Sequence, residues 1–288
     1  SARPLFRWAI ELDPNFAMAY AYLSTTYGNH GEPELAAQSI RKAYDLRARV
    51  SEQERFYIEA HYYENGTGEW EKAVPVFEQW QQTYPGYYSP YTNLGYMYRC
   101  LGNPQKALEQ AREAIRLEPN HVLNYNNLGL DYIFLNRLEE AEQVLKQAEE
   151  RKLEGDSMPR ARYLLAFLRG DTARMAQAAS VAMGKPGKED LIFATQADTE
   201  AWYGRLKNAR ELKRRAMDSA LRNGDKEAAA LAEAEGALLE GAAGKLKLAR
   251  ADADAALKLA SNRNVQESAA LAIGQTGDTA TAEKLATA

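Results

Sequence analysis

The sequence predicts an all-α fold, a solenoid of antiparallel helix pairs, on three observations. Leu94, Gly95, Tyr98, Gly102, Ala107, Ala114 and Pro119 recur one period later as Leu128, Gly129, Tyr132, Asn136, Ala141, Ala148 and Leu153. Self-similarity at a fixed period of roughly 34 residues marks a stacking unit rather than a closed globule. Within the unit, small residues (Gly95, Ala107, Ala114) fall where two antiparallel helices must approach to roughly 8–10 Å, and Tyr91, Leu94 and Tyr98 fill the seam. Pro119 closes the unit, because proline cannot continue a helix and biases the residue before it toward extended geometry.

Taken in order, residues 1–14 carry Ala2, Phe6, Ala9 and Pro14, the pattern of a second helix with no first helix before it. Residues 15–153 hold the regular repeats. In the first, Tyr20, Leu23 and Tyr27 supply the first-helix seam, Gly31 the turn, and Ala36, Ile40 and Ala43 the second helix. No proline closes that repeat. Instead Ser51-Glu52-Gln53-Glu54 offers a capping box, whose hydroxyl and carboxylate satisfy free amides at the start of the next helix. Gly68, Ala73, Phe77 and Pro85 complete a second repeat, and Asn65-Gly66-Thr67, which also fits a glycosylation acceptor, is expected as an ordinary turn.

The marks thin over 154–288. Pro159–Leu168 and Thr172–Met183 form a pair broken at Gly170-Asp171, and Gly184–Gly187 is a turn-rich joint. The next pair turns at Gly204 and keeps Ala209 and Ala216. Gly244, Ala249, Ala253 and Ala256 follow at repeat spacing, and Gly277 with Ala282 starts the pattern once more. Alanine favours helix but buries little area, so looser packing is expected there. The whole of 1–288 is read as one continuous solenoid, cut at both ends from a longer protein, since neither end supplies the polar cap that covers a solenoid's core.

Composition bounds the partners. A formal charge of −4 and a pI near 5.6 give no general attraction to phosphate backbones, so no nucleic acid is expected. Cys100 is the one cysteine, excluding an internal disulfide, and is expected as a small core residue. No run approaches the ~18 consecutive apolar residues of a membrane span, so no membrane contact by this segment is expected. His30, His61 and His121 are scattered, and His61 with Glu64 on one helix face lacks a third ligand, so no metal is expected. Gly102-Asn103-Pro104-Gln105-Lys106 lacks the second glycine and the hydroxyl of a phosphate loop. No cofactor and no catalytic residue are expected. The run Arg205, Lys207, Arg210, Lys213, Arg214 and Arg215 is expected as a solvated helix face.

The repeat pattern resembles the tetratricopeptide repeat family, strongly as far as Leu153 and with falling fidelity beyond it; Glu64 stands where the family usually places tyrosine. The resemblance implies a right-handed superhelix whose first helices line a concave face, with a protein or peptide as partner. The inward positions it implies are Met18, Tyr22 and Thr25, then Ile58, Glu59 and Tyr62, then Thr92, Asn93, Tyr96 and Arg99, then Asn126, Asn127, Leu130 and Ile133. Asn93 and Asn127 share a register in which family members that clasp extended peptides bond the peptide main chain. Tyr22, Tyr62 and Tyr96 would hold partner side chains, Arg99 a carboxylate, and Asn126 would join the contact surface. More narrowly, Ser51–Tyr63 and Gly184–Leu191 look like segments of repeat regions attached to bacterial serine/threonine protein kinases. Similar regions follow winged-helix regulators. The kinase resemblance implies a non-catalytic regulatory or sensor scaffold, cytoplasmic, or extracytoplasmic where a membrane span precedes it. The alternative is the sensing solenoid of a winged-helix transcriptional regulator.

Overall fold

The computed structural model describes residues 2–29, 31–153, 155, 158–185 and 189–287, and among these every regular element is helical, with no strand. Contacts divide the chain into two units, one spanning 2–29 and 35–178, the other 31–34 and 179–287. Through the first unit run α1 (Arg3–Leu12), α2 (Ala17–Gly28), α3 (Pro33–Asp45), α4 (Glu52–His61), α5 (Trp70–Thr83), α6 (Tyr88–Cys100), α7 (Pro104–Leu117), α8 (Val122–Phe134), α9 (Leu138–Glu150), α10 (Met158–Leu168) and α11 (Thr172–Ser180). Through the second run α12 (Glu189–Trp202), α13 (Leu206–Arg222), α14 (Lys226–Ala242), α15 (Leu246–Leu259), α16 (Arg263–Gln275) and α17 (Thr279–Ala286). Each unit is a stack of antiparallel helix pairs.

The period is written in the backbone. Gly68, Gly102, Asn136, Gly170 and Gly204 follow one another at the repeat spacing, and each closes a helix hairpin with φ between 55° and 74°, in the left-handed region. Glycine reaches that region without a Cβ penalty and asparagine tolerates it, which is why Asn136 can stand where the preceding repeat has Gly102. The repeat therefore continues past Leu153, where the side-chain signature fades. It breaks after Gly204. The next hairpin glycine on the same side, Gly244, comes later than the period allows, because α13 and α14 are each 17 residues long against 13 for α6 and 14 for α7.

Packing follows the expected seam. An added Cβ on Gly95 would lie 3.4 Å from the Ala107 carbonyl oxygen, so α6 and α7 meet backbone to backbone. Ala107 and Ala114 are fully buried at that crossing. The hydroxyls of Tyr91 and Tyr125, one repeat apart, each donate to a proline carbonyl six residues back, Pro85 and Pro119, at 3.0 Å. That bond ties the entry of a first helix to the turn before it. The Ser51 capping box forms as expected: Ser51 Oγ accepts from the Glu54 amide and the Glu54 carboxylate accepts from the Ser51 amide at 2.9 Å.

Four expectations are corrected. Asn65-Gly66-Thr67 is not an ordinary turn but part of a π-helical turn, Tyr62–Thr67, running straight on from α4. Gly66 is drawn inward by α3: its carbonyl accepts from Arg41 at 2.8 Å, and a Cβ on it would meet Ile40 and Tyr62 at 3.1 Å. Cys100 ends α6 exposed rather than in the core. The basic run is exposed, as expected, at Arg205, Lys207, Arg210, Arg214 and Arg215, but not at Lys213. Lys213 is buried between Asp198 (3.3 Å) and Glu235 (3.1 Å), Arg210 grips the buried Glu240, and Arg215 lies over the Phe193 ring at 4.1 Å. These contacts tie α13 to α12 and α14. Finally, Ala229, Ala230, Ala234, Ala237, Ala249, Ala253 and Ala256 are wholly covered by neighbouring helices. Small side chains there let α14 and α15 close up instead of loosening. His30 and the segment Pro186-Gly187-Lys188 lie outside the described residues.

Candidate interaction surface

The first helices of unit 1, α2, α4, α6 and α8, are joined by a rule of their own. Thr25 bonds Tyr57 at 2.6 Å, Thr92 bonds Asn124 at 2.6 Å, and Arg99 bonds Asp131 at 2.7 Å, each pair 32 residues apart. For Thr92–Asn124 and Arg99–Asp131 that separation sets the second residue about half a helical turn before its exact repeat equivalent, where it meets the preceding first helix. Polar residues that look available within one repeat are therefore used by the next.

Against that rule the sequence-derived positions divide. Tyr22 is 42% exposed and stands edge-on to Tyr57 (5.3 Å) beside Phe6 (5.7 Å). Tyr96 is 40% exposed, packs beside Trp70 at 5.9 Å, and shares a hydrogen bond with the Cys100 thiol. Tyr62 is half-buried and stacked on Tyr44 of α3 at 3.9 Å, so its ring is already engaged. Asn93, also half-buried, donates to the Ser89 carbonyl one turn back at 2.9 Å. Asn126 and Asn127 are only 4% and 5% exposed. Asn127 accepts from Arg99 at 3.4 Å, whereas the Asn126 side-chain oxygen has no partner. Met18, Ile58, Thr92 and Ile133 are buried between helices, Glu59 pairs with Arg47 at 3.7 Å, and Leu130 is half-buried.

Arg99 does hold a carboxylate, but an internal one. Its guanidinium, 10% exposed, reaches from α6 to Asp131 Oδ1 and to the Asn127 carbonyl and side-chain oxygens on α8. Asp131 is wholly buried, and its Oδ2 has no partner. Burial outweighs the guanidinium and pushes the Asp131 carboxyl up to about 6. At the position where a tyrosine is usual, Glu64 bonds His61 Nδ1 at 2.6 Å, inside the π-helical turn. Tyr98 and Tyr132, which keep the tyrosine, reach back 20 residues to Glu78 (2.5 Å) and Arg112 (2.8 Å).

Sequence reasoning missed a continuous aromatic strip crossing these helices. Its rings run Phe6, Tyr22, Tyr57, Trp80, Tyr87, Tyr88 and His121, with successive centroids 4.9–6.0 Å apart. Tyr57 and Trp80 form its floor, while Tyr22 and Tyr87 reach solvent. The signal was present in the sequence as Tyr87-Tyr88 at the entry of α6, but those residues precede the repeat's seam positions. Beside the strip lies an open pocket of about 400 Å³ edged by Asp13, Phe16, Met18, Arg49 and Glu54.

Among the described residues no group of three or more His, Cys, Asp or Glu is placed to hold a metal ion, and no helix is long and apolar enough to cross a membrane.

Residues 90–154 match the family model of the tetratricopeptide repeat. Among solved structures, a tetratricopeptide repeat protein from Parabacteroides merdae aligns over 91% of this chain and 99% of its own, at 15% identity and a TM-score of 0.54. A chain of the APC/C hetero-tetramer Cut9-Hcn1 aligns over 95% of this chain and 52% of its own, at 14% identity and a TM-score of 0.61. The human IFIT1 dimer with m7Gppp-AAAA aligns over 99% of this chain and 66% of its own, at 15% identity and a TM-score of 0.59. At such identities the likeness is one of fold. No curated protein matches the sequence.

Proposed function

We propose that this chain is a non-catalytic protein–protein interaction scaffold that binds a protein or peptide on the first-helix face of unit 1. The observation that carries the reading is the contrast on that face: its polar groups are largely consumed by bridges between helices, while Tyr22, Tyr87 and Tyr96 are left exposed. Exposed aromatic side chains on a rigid support are what interface anchors are made of, each costing ~2 kcal/mol or more on truncation where it is central. The likeness in fold to a chain of the Cut9-Hcn1 hetero-tetramer supports the same reading. In finer terms, the scaffold serves as the regulatory or sensor region of a bacterial serine/threonine protein kinase, a reading supported by the segment Ser51–Tyr63.

A pull-down with the intact chain beside a Tyr22→Ala/Tyr96→Ala variant tests the coarse reading. A protein recovered by the first and lost by the second, with unchanged helicity by circular dichroism, is the expected result. Equal recovery overturns the choice of face. Recovery that disappears on ribonuclease treatment overturns the choice of partner, and it is the outcome to compare with IFIT1, which was solved with m7Gppp-AAAA. The kinase attachment is tested by the parent coding sequence on the amino-terminal side: a Gly-rich loop with a His-Arg-Asp-type motif supports it, and a winged helix overturns it.

A further inference from the structure

We propose that the aromatic strip of unit 1 recognises a cationic side chain, the lysine or arginine of a basic partner segment, with Tyr22, Tyr87 and Tyr88 supplying ring faces and Glu54 and Glu118 the countercharge. The inference rests on the reading of this face as a protein-binding surface and names the chemistry of what binds. Tyr22 comes from α2 and Tyr87 and Tyr88 from the entry of α6, and they are linked through the half-buried Tyr57 and the buried Trp80 by ring contacts of 5.3–6.0 Å. A cation within about 6 Å of such a ring is attracted by its quadrupole, more strongly where water is partly excluded.

Charge complementarity selects a cation over other occupants. Burial first, then the neighbouring Tyr87 and the carboxylates of Glu54 at Tyr22 and Glu118 at Tyr88, push both phenols up from their ordinary value. Burial disfavours charge of either sign, and it is the carboxylates of Glu54 and Glu118 that make a positive one the better tolerated. Glu54 spends Oε2 on the capping box with Ser51, where it accepts from the amide and the hydroxyl at 2.9 and 2.8 Å; its other oxygen takes no part in those bonds. Glu54 also borders the adjoining pocket, whose wall adds Asp13 and a single base, Arg49. An acidic peptide or a phosphate backbone would meet two carboxylates at the strip, whereas an extended basic segment would lay an apolar stem on the rings and its charge between the acids.

The test uses the intact chain and fluorescence anisotropy with three labelled octapeptides of alternating glycine with arginine, glutamine or glutamate. The arginine peptide is expected to bind, the other two not, and the affinity to fall as salt rises. Tyr22→Leu and Tyr87→Leu keep apolar bulk but remove the ring, and each is expected to weaken binding about five-fold. Glu54→Gln retains the capping box, which glutamine also satisfies, and is expected to weaken binding by a similar factor. Equal binding of the glutamine peptide, or leucine variants that bind as the parent does, overturns the proposal. Loss of a natural partner by Tyr22→Ala/Tyr96→Ala without any binding of the arginine peptide overturns the cation alone and leaves the interaction face standing. Arginine-peptide binding together with unchanged partner recovery overturns the face as the natural interface.

Discussion

Replacing Asp131 by asparagine should change how stability depends on pH, and the structure sets both sign and size. Asp131 is wholly buried with one oxygen on Arg99 and the other unpartnered. Its carboxyl rises from an ordinary 3.8 to about 6, which at about 1.4 kcal/mol per tenfold in proton affinity corresponds to about 3 kcal/mol as an order of magnitude. Between those two values the folded chain keeps the proton and the unfolded chain has released it, so stability falls as pH rises. The contribution is fully present below about 4 and gone above about 6. Asparagine cannot titrate, so the variant lacks this dependence, and the remaining difference between the two neutral side chains adds an offset that does not vary with pH. Urea unfolding of parent and Asp131→Asn from about pH 4 to about pH 7.5, followed by circular dichroism, should give a stability difference that shrinks by roughly 3 kcal/mol with rising pH and then levels. Carboxyl carbon resonances of Asp131 should titrate at about 6. Parallel stability profiles, or a parent that gains on the variant as pH rises, would refute the view that burial outweighs the guanidinium.

Two further outcomes follow from the seam and the cap. Ala107→Leu inserts bulk where α6 and α7 meet at backbone distance, and should cost about 1–3 kcal/mol in urea unfolding; a neutral result would mean the crossing can spread. Ser51→Ala removes the hydroxyl that accepts from the Glu54 amide and should cost about 1 kcal/mol, with faster hydrogen exchange confined to the first turn of α4. Protection unchanged at Glu54 would show the cap to be idle.

How much could be read in advance depended on whether a residue's partner lay inside its own repeat. Gly95 against Ala107, the Ser51 capping box, and the turns at Gly102 and Asn136 are local, and their residue types state the constraint directly. Arg99 was legible as a cation on the first-helix face, but its partner Asp131 sits 32 residues on, off the repeat register, so the pairing was invisible to a comparison of repeats. Thr25 with Tyr57, also off the repeat register, is hidden likewise. Asn65-Gly66 carries a strong turn signal, yet contacts from α3 wind it into a π-helical turn, a tertiary override that no local pattern announces. On α13 the positive residues were plain, but the acids that claim them, Asp198, Glu235 and Glu240, lie on α12 and α14. Alanine misled for a related reason: its small area was weighed, and the closer helix approach it permits was not.

The hairpin glycines carry one more implication. Gly102, Gly170, Gly204, Gly244 and Gly277 have nothing within 4 Å of where a Cβ would stand, so each joint is unclasped from outside while the helices on either side are gripped by their neighbours. Severing the peptide at such a point removes a connector and no packing contact. Brief digestion at Gly102, Gly170 and Gly204 should therefore yield fragments that differ by whole repeats. Within each unit the nicked pieces would still migrate as one particle until denaturant parts them.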